Sequence, residues 1–183
     1  MEDLVILFSG GADSTLLLEM AKKINRKPLA IMIDYNQLHI QELGFAKRYC
    51  DKNKIENITI KIGGFNVNSA LTGNGEKGVY EGVDEHNVPA RNSIFLSLAA
   101  GVAESKKIKE VWIGCNWEDR EHLFPDCYQE YLFNLNKVFE IAFSYPIKVY
   151  APLLGMQKYM VKDLLTHYGI KEVDIYSGYG EFK

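Results

Sequence analysis

Five apolar runs punctuate the chain, at Leu4–Phe8, Leu29–Ile33, Asn57–Ile62, Glu110–Gly114 and Ile147–Ala151, with stretches of helical apolar spacing between them. Leu4–Phe8 has no polar alternation at all, the mark of a strand buried on both faces, which places it at the centre of a parallel sheet. Asp13, Ser14 and Thr15 can open a helix that continues through Leu16, Leu17, Leu18, Met20, Ala21 and Ile24. Further helices are predicted near Ile40–Asn53, Asn92–Lys106, Cys127–Phe143 and Met156–Tyr168. The order βαβαβ followed by αβαβα predicts an α/β fold with a doubly wound, parallel, five-stranded sheet. Residues 68–87 break the pattern. They carry no period and exceed an ordinary connection, so they read as a lid or partner-contact loop, or as disorder.

At 183 residues and 20.8 kDa, the chain is expected to form a single domain over residues 1–183 that buries roughly 70% of its unfolded surface. A net charge of -3 and a pI near 5.8 argue against direct binding to a nucleic-acid backbone. No apolar stretch approaches the roughly 20 residues of a membrane span, and the first strand starts at once, so a cytoplasmic protein is expected. Cys50, Cys115 and Cys127 are widely spaced with no CxxC, so they read as buried small hydrophobes rather than a disulfide framework or zinc site.

The chemistry-bearing residues cluster after strand ends, where ligands bind in open α/β sheets. After the first strand, Gly10 and Gly11 allow a tight turn into a helix, and backbone N–H groups converge there on a point suited to phosphate. The turn has neither the Gly-Lys-Ser/Thr ending of a P-loop nor GxGxxG. After the second strand, Tyr35, Gln37, His39 and Glu42 could stack on a planar base and bond its edges, or could form a polar loop with a capping histidine. Pro89-Ala90-Arg91-Asn92-Ser93 offers a guanidinium fork beside a helix cap. Asn116, Glu118, Asp119 and Asp126 supply amide and carboxylate groups that could hold a metal-bound phosphate or an amine, or simply cap helices. Lys158 is a single cation near the last helix start.

Ser9-Gly10-Gly11-Ala12-Asp13-Ser14 resembles the SGGxDS pyrophosphate loop of enzymes that use ATP to adenylate a carboxyl or carbonyl oxygen. Together with DYNQLHIQEL, VPARNSIFLSLA, IGCNWED, FPDC and APLLGMQK, in that order, the chain resembles the 7-cyano-7-deazaguanine synthase family of queuosine biosynthesis. The resemblance implies an adenine nucleotide alpha hydrolase-like (PP-loop) three-layer sandwich. It further implies that ATP, magnesium and ammonia convert 7-carboxy-7-deazaguanine to its amide and then its nitrile. By the same similarity ATP would lie on Phe8, Ser9, Gly10, Gly11, Ala12, Asp13, Ser14, Thr15, Leu16, Leu17 and Leu18, with Asp13 near magnesium. Tyr35, Gln37, His39, Glu42, Arg91, Asn92, Asn116 and Asp119 would border the base, and Asp13, Asp126 and Lys158 would serve catalysis. A carboxylate is a poor electrophile, and transfer of AMP to it creates the leaving group that ammonia displaces; the protein must align the reactants and stabilise charge as pyrophosphate leaves.

Three features depart from the family pattern. Its C-terminal four-cysteine zinc site has Gly178 in Ser177-Gly178-Tyr179, so no zinc is expected, and Leu38 and Tyr128 stand where arginines are usual. Asn36 is compatible with a positive φ. The altered residues leave open a relative that stops at the amide or passes the acid to another amine, and, in a different class, a nucleotide-binding module without turnover. Ile175, Tyr176, Tyr179 and Phe182 are expected to dock the C-terminal end on the body or on a second subunit, and a homodimer is preferred.

Overall fold

A computed structural model describes residues 1–64, 88–121 and 124–176. Five parallel strands, β1 (Leu4–Leu7), β2 (Pro28–Asp34), β3 (Asn57–Lys61), β4 (Glu110–Trp112) and β5 (Lys148–Tyr150), form one sheet in the order β3-β2-β1-β4-β5. β1 is central and is buried along its whole length. Its alternating side chains feed opposite layers, as strand geometry requires. Val5 and Leu7 join the layer with Leu96, Ala99, Ala100 and Phe139, whereas Leu4 and Ile6 join the layer with Leu17, Ala46, Val161 and Leu165.

The helices are α1 (Ala12–Lys23), α2 (Gln41–Asn53), α3 (Arg91–Ser105), α4 (Trp117–Glu121), α5 (Gln129–Ala142) and α6 (Lys158–His167). α1, α2 and α6 contribute to the second of those layers, and α3 and α5 to the first. The doubly wound α/β fold is therefore the observed one. Ala99, Ala100 and Ala103 are fully buried on α3, and residues this small let the helix lie close to the sheet.

Local differences have local causes. α4 was not anticipated, because five residues are too few to display a helical period. The last long helix before β5 starts at Gln129 rather than Cys127, because Pro125–Cys127 forms a separate 3₁₀ turn and Tyr128 is extended at φ -86, ψ 151. The expected lid at 68–87 and the Ser177-Gly178-Tyr179 ending, with Phe182, lie outside the described residues. Sheet order changes direction between β1 and β4, and the carboxyl ends of these two neighbours flank the crevice of the fold.

Candidate active site

Gly10 sits at φ +84, where L side chains are strained, and a Cβ there would stand 3.1 Å from both the Glu42 carbonyl oxygen and the Ala46 nitrogen. Gly11 differs: its φ of -77 and ψ of 170 suit any residue, and an added Cβ would meet only Ser9 Oγ, at 3.4 Å. The turn is closed internally. Gly11 N–H donates to Ser9 Oγ at 3.3 Å, Ser14 Oγ donates to the Gly11 carbonyl at 3.2 Å, and the two hydroxyls lie 3.2 Å apart. The α1 ladder begins with Thr15 N–H to the Gly11 carbonyl, so the N–H groups of Ala12, Asp13 and Ser14 precede it at the positive helix end. A small cradle of backbone N–H groups and hydroxyls of this kind fits a phosphate. Phe8, Thr15, Leu16, Leu17 and Leu18 are buried beneath it, so of the eleven-residue stretch from Phe8 to Leu18 only the turn itself can face a ligand.

Asp13 is the meeting point of three segments. Asn116 Nδ2 donates to its Oδ1 at 3.0 Å, and Lys158 Nζ lies 3.4 Å from its Oδ2. Asn116 is wholly buried and also caps α4: its Oδ1 accepts the N–H groups of Glu118 and Asp119 at 2.9 and 3.3 Å. Asp119 Oδ2 accepts Asn116 N–H at 2.8 Å in return, which makes the cap reciprocal. Two further contributors complete this junction: Glu118 takes the helix-capping role open to it in the sequence, and Gly114 takes a role that the sequence reading missed. Glu118 Oε1 accepts Lys158 N–H at 2.7 Å and so fixes the start of α6. At Gly114 a Cβ would stand 3.2 Å from Asp13 Cβ and Ser14 N, so glycine lets the end of β4 touch the start of α1. A glycine directly after a strand was the available signal.

The residues after β2 form a second group. Asn36 does adopt positive φ, at 62°. Gln37 is buried and its amide is used internally: Oε1 accepts Tyr35 N–H at 3.1 Å, while Nε2 donates to Glu42 Oε1 at 2.9 Å. Gln37 therefore orients Glu42. Tyr35 is also buried, tilted against Phe95 with centroids 5.2 Å apart, and its hydroxyl bonds Arg91. Leu38 is exposed. His39 Nδ1 lies 3.1 Å from Tyr176 Oη, and Tyr176 N–H donates to the Gly10 carbonyl at 2.9 Å, so this part of the C-terminal segment docks on the same chain.

Across the crevice, Asp126 Oδ2 accepts Asn92 N–H at 3.0 Å, and Asn92 Nδ2 donates to Cys127 Sγ at 3.3 Å. Burial raises the Glu42, Asp119 and Asp126 carboxyls above their ordinary range, against the pull of Arg91. The three cysteines are buried, but Cys115 and Cys127 are not separate: their sulfurs lie 3.1 Å apart.

A family model described as "Queuosine biosynthesis protein QueC" matches residues 3–182. The chain is 33% identical over 164 residues to "7-cyano-7-deazaguanine synthase 1" of Colwellia psychrerythraea, covering 86% of this chain and 75% of that protein. It is 30% identical over 178 residues to the "7-cyano-7-deazaguanine synthase" of Clostridium novyi, covering 94% and 80%. Among solved structures, NMN synthetase from Francisella tularensis superposes with a TM-score of 0.61 at 19% identity, over 94% of this chain and 64% of that one. NH3-dependent NAD synthetase from Campylobacter jejuni gives 0.57 at 17%, over 94% and 66%. These two likenesses are of fold, and they agree with the adenine nucleotide alpha hydrolase-like class.

Proposed function

The chain belongs to the queuosine biosynthesis protein QueC family, and from that premise we propose that it converts 7-carboxy-7-deazaguanine, ATP and ammonia into 7-cyano-7-deazaguanine through an adenylated acid and an amide. The observation that carries this reading is the convergence of Asn116 and Lys158 on Asp13 beside the glycine cradle. In it, the N–H groups at the start of α1 bind phosphate oxygens, and Lys158 offsets charge on the leaving pyrophosphate. Asp13 is the ligand for magnesium, which supplies further charge neutralisation when bound. Glu42, held by Gln37, accepts hydrogen bonds from the amino and ring N–H groups of the base, which an unrelated carboxylic acid would leave unfilled. Arg91 attracts the substrate carboxylate. Tyr35 and His39 wall the pocket, while Asn92, Asn116 and Asp119 brace Asp126 and Asp13.

Exposed Leu38, where the resemblance calls for arginine, favours a second reading in which the reaction stops at the amide or a different amine attacks. The proposal includes a single domain acting in the cytoplasm as a homodimer. Ile175 and Tyr176 pack on their own chain, so a second copy would use other surface, such as exposed Phe133, Val138 and Ile141 of α5. Incubation of the free acid with ATP, magnesium and ammonia, followed by mass spectrometry, should show the nitrile. Amide alone would select the second reading, and no turnover by folded protein would leave a nucleotide-binding module.

A further inference from the structure

Cys115 Sγ, Cys127 Sγ and a carboxylate oxygen of Asp119 lie within 4.8 Å of one another. They arrive from three places: the coil after β4, the helix α4, and the last position of the 3₁₀ turn before α5. Both thiols are buried. Cys115 Sγ donates to Cys127 Sγ, and Asn92 Nδ2 donates to the same sulfur, so Cys127 Sγ is the acceptor of two hydrogen bonds. Asp119 takes Asn116 N–H on Oδ2, which leaves Oδ1 without a hydrogen-bond partner among the described residues.

Two thiols and a carboxylate are too soft a set for magnesium or calcium and match zinc. We propose that Cys115, Cys127 and Asp119 bind a zinc-class divalent cation, with water as the fourth donor. On binding, each S–H bond is replaced by a metal–sulfur bond and its proton passes to solvent. Thiolates on a tetrahedral ion, with bonds of about 2.3 Å, stand roughly 3.8 Å apart. The sulfurs, now at 3.1 Å, need to part by less than an ångström. A disulfide would require them to close to about 2.05 Å and would give Asp119 no part. The charged groups facing Asp119 are Asp13, Lys158 and Arg91, and those facing Cys115 are the acids Asp119 and Asp126. Bound there, the cation ties the end of β4 to α4 and to the turn before α5, the frame that holds Asn116 against Asp13. The site stands independently of the reaction proposed above.

Cobalt(II) added to the reduced, metal-stripped full chain should give a stoichiometric thiolate-to-cobalt charge-transfer band that zinc abolishes. Cys115→Ser and Cys127→Ser should each weaken cobalt binding by at least the roughly tenfold to hundredfold that loss of a supporting partner costs a metal site. Asp119→Asn should weaken it less, and Cys50→Ser should leave it unchanged. Where a serine variant does not fold, the wild-type chain supplies the answer: zinc should slow alkylation of Cys115 and Cys127, mapped by peptide mass, and leave Cys50 unaffected. No charge-transfer band, equal alkylation of Cys115 and Cys127 with and without zinc, or a Cys115–Cys127 disulfide in anaerobically isolated protein that zinc cannot replace after reduction would each overturn the proposal.

Discussion

The turn after β1 and the turn after β4 meet at Asp13, yet they are shaped by different means. After β1 the backbone sets the path, with a glycine at positive φ pressed against α2, and the Ser9 and Ser14 hydroxyls then close the turn through bonds to Gly11. After β4 the form depends on side chains, with Asn116 bonding Asp13 on one side and the two N–H groups of α4 on the other. A backbone-shaped turn fails when its dihedral angles become forbidden, whereas a side-chain-shaped one fails when a single amide is removed. Substitutions can separate the two.

The largest expected effect is at Gly10. Gly10→Val combines a strained positive φ with a clash against α2 backbone, roughly 2 kcal/mol or more, or about 4–8 °C in Tm for a chain this size. Calorimetry should also show ATP binding lost. Gly11→Ala should stay within about 0.5 kcal/mol of the wild type, and an equal loss at both glycines would contradict the backbone account. Asn116→Ala comes next. It removes a cap and leaves Asp13 Oδ1 and two N–H groups without this partner, together about 2 kcal/mol, and it should lower kcat more than it raises KM. Gly114→Ala forces a shift of a few tenths of an ångström where β4 meets α1, about 1 kcal/mol, readable by thermal melting.

Lys158→Met should change stability by less than about 0.5 kcal/mol, because its ion pair with Asp13 is half exposed. Pyrophosphate release should nevertheless slow by about tenfold or more if Lys158 meets the leaving group. The smallest effect concerns pH. Burial raises the folded-state Glu42, Asp119 and Asp126 carboxyls, so the native state holds protons that the unfolded state has released. Stability therefore falls as pH rises from the ordinary carboxylate range through these raised values. Melting of Asp126→Asn across that window should show a shallower decline than the wild type, and an unchanged slope would remove Asp126 from this account.

The first of these turns was far easier to read in the sequence than the second. Unbroken apolar residues from Leu4 and a following pair of glycines identify β1 and its turn because burial on both faces and backbone freedom act locally. Asn116 and Asp119 could be marked as polar residues after a strand, and the bond between them is local, but the bond from Asn116 to Asp13 depends on a contact spanning 103 positions. The same is true of Cys115 and Cys127, which twelve residues and a 3₁₀ turn bring together. Gln37 was legible as an amide near a ligand crevice. That its amide faces inward, toward Tyr35 N–H and Glu42, follows only from the burial of that loop.

The contact between Gly10 and α2 has a consequence for anyone redesigning substrate choice. Glu42 offers its carbonyl to the space beside Gly10 and its carboxylate to Gln37, so a single helix backs both the glycine turn and the residues proposed to hold the base. A change that moves α2 to admit a larger base moves the floor of the loop with it. Pocket and loop substitutions should then be epistatic, with coupling of about 0.5–3 kcal/mol in double-mutant cycles, and libraries that vary the two regions separately would miss the combinations that work.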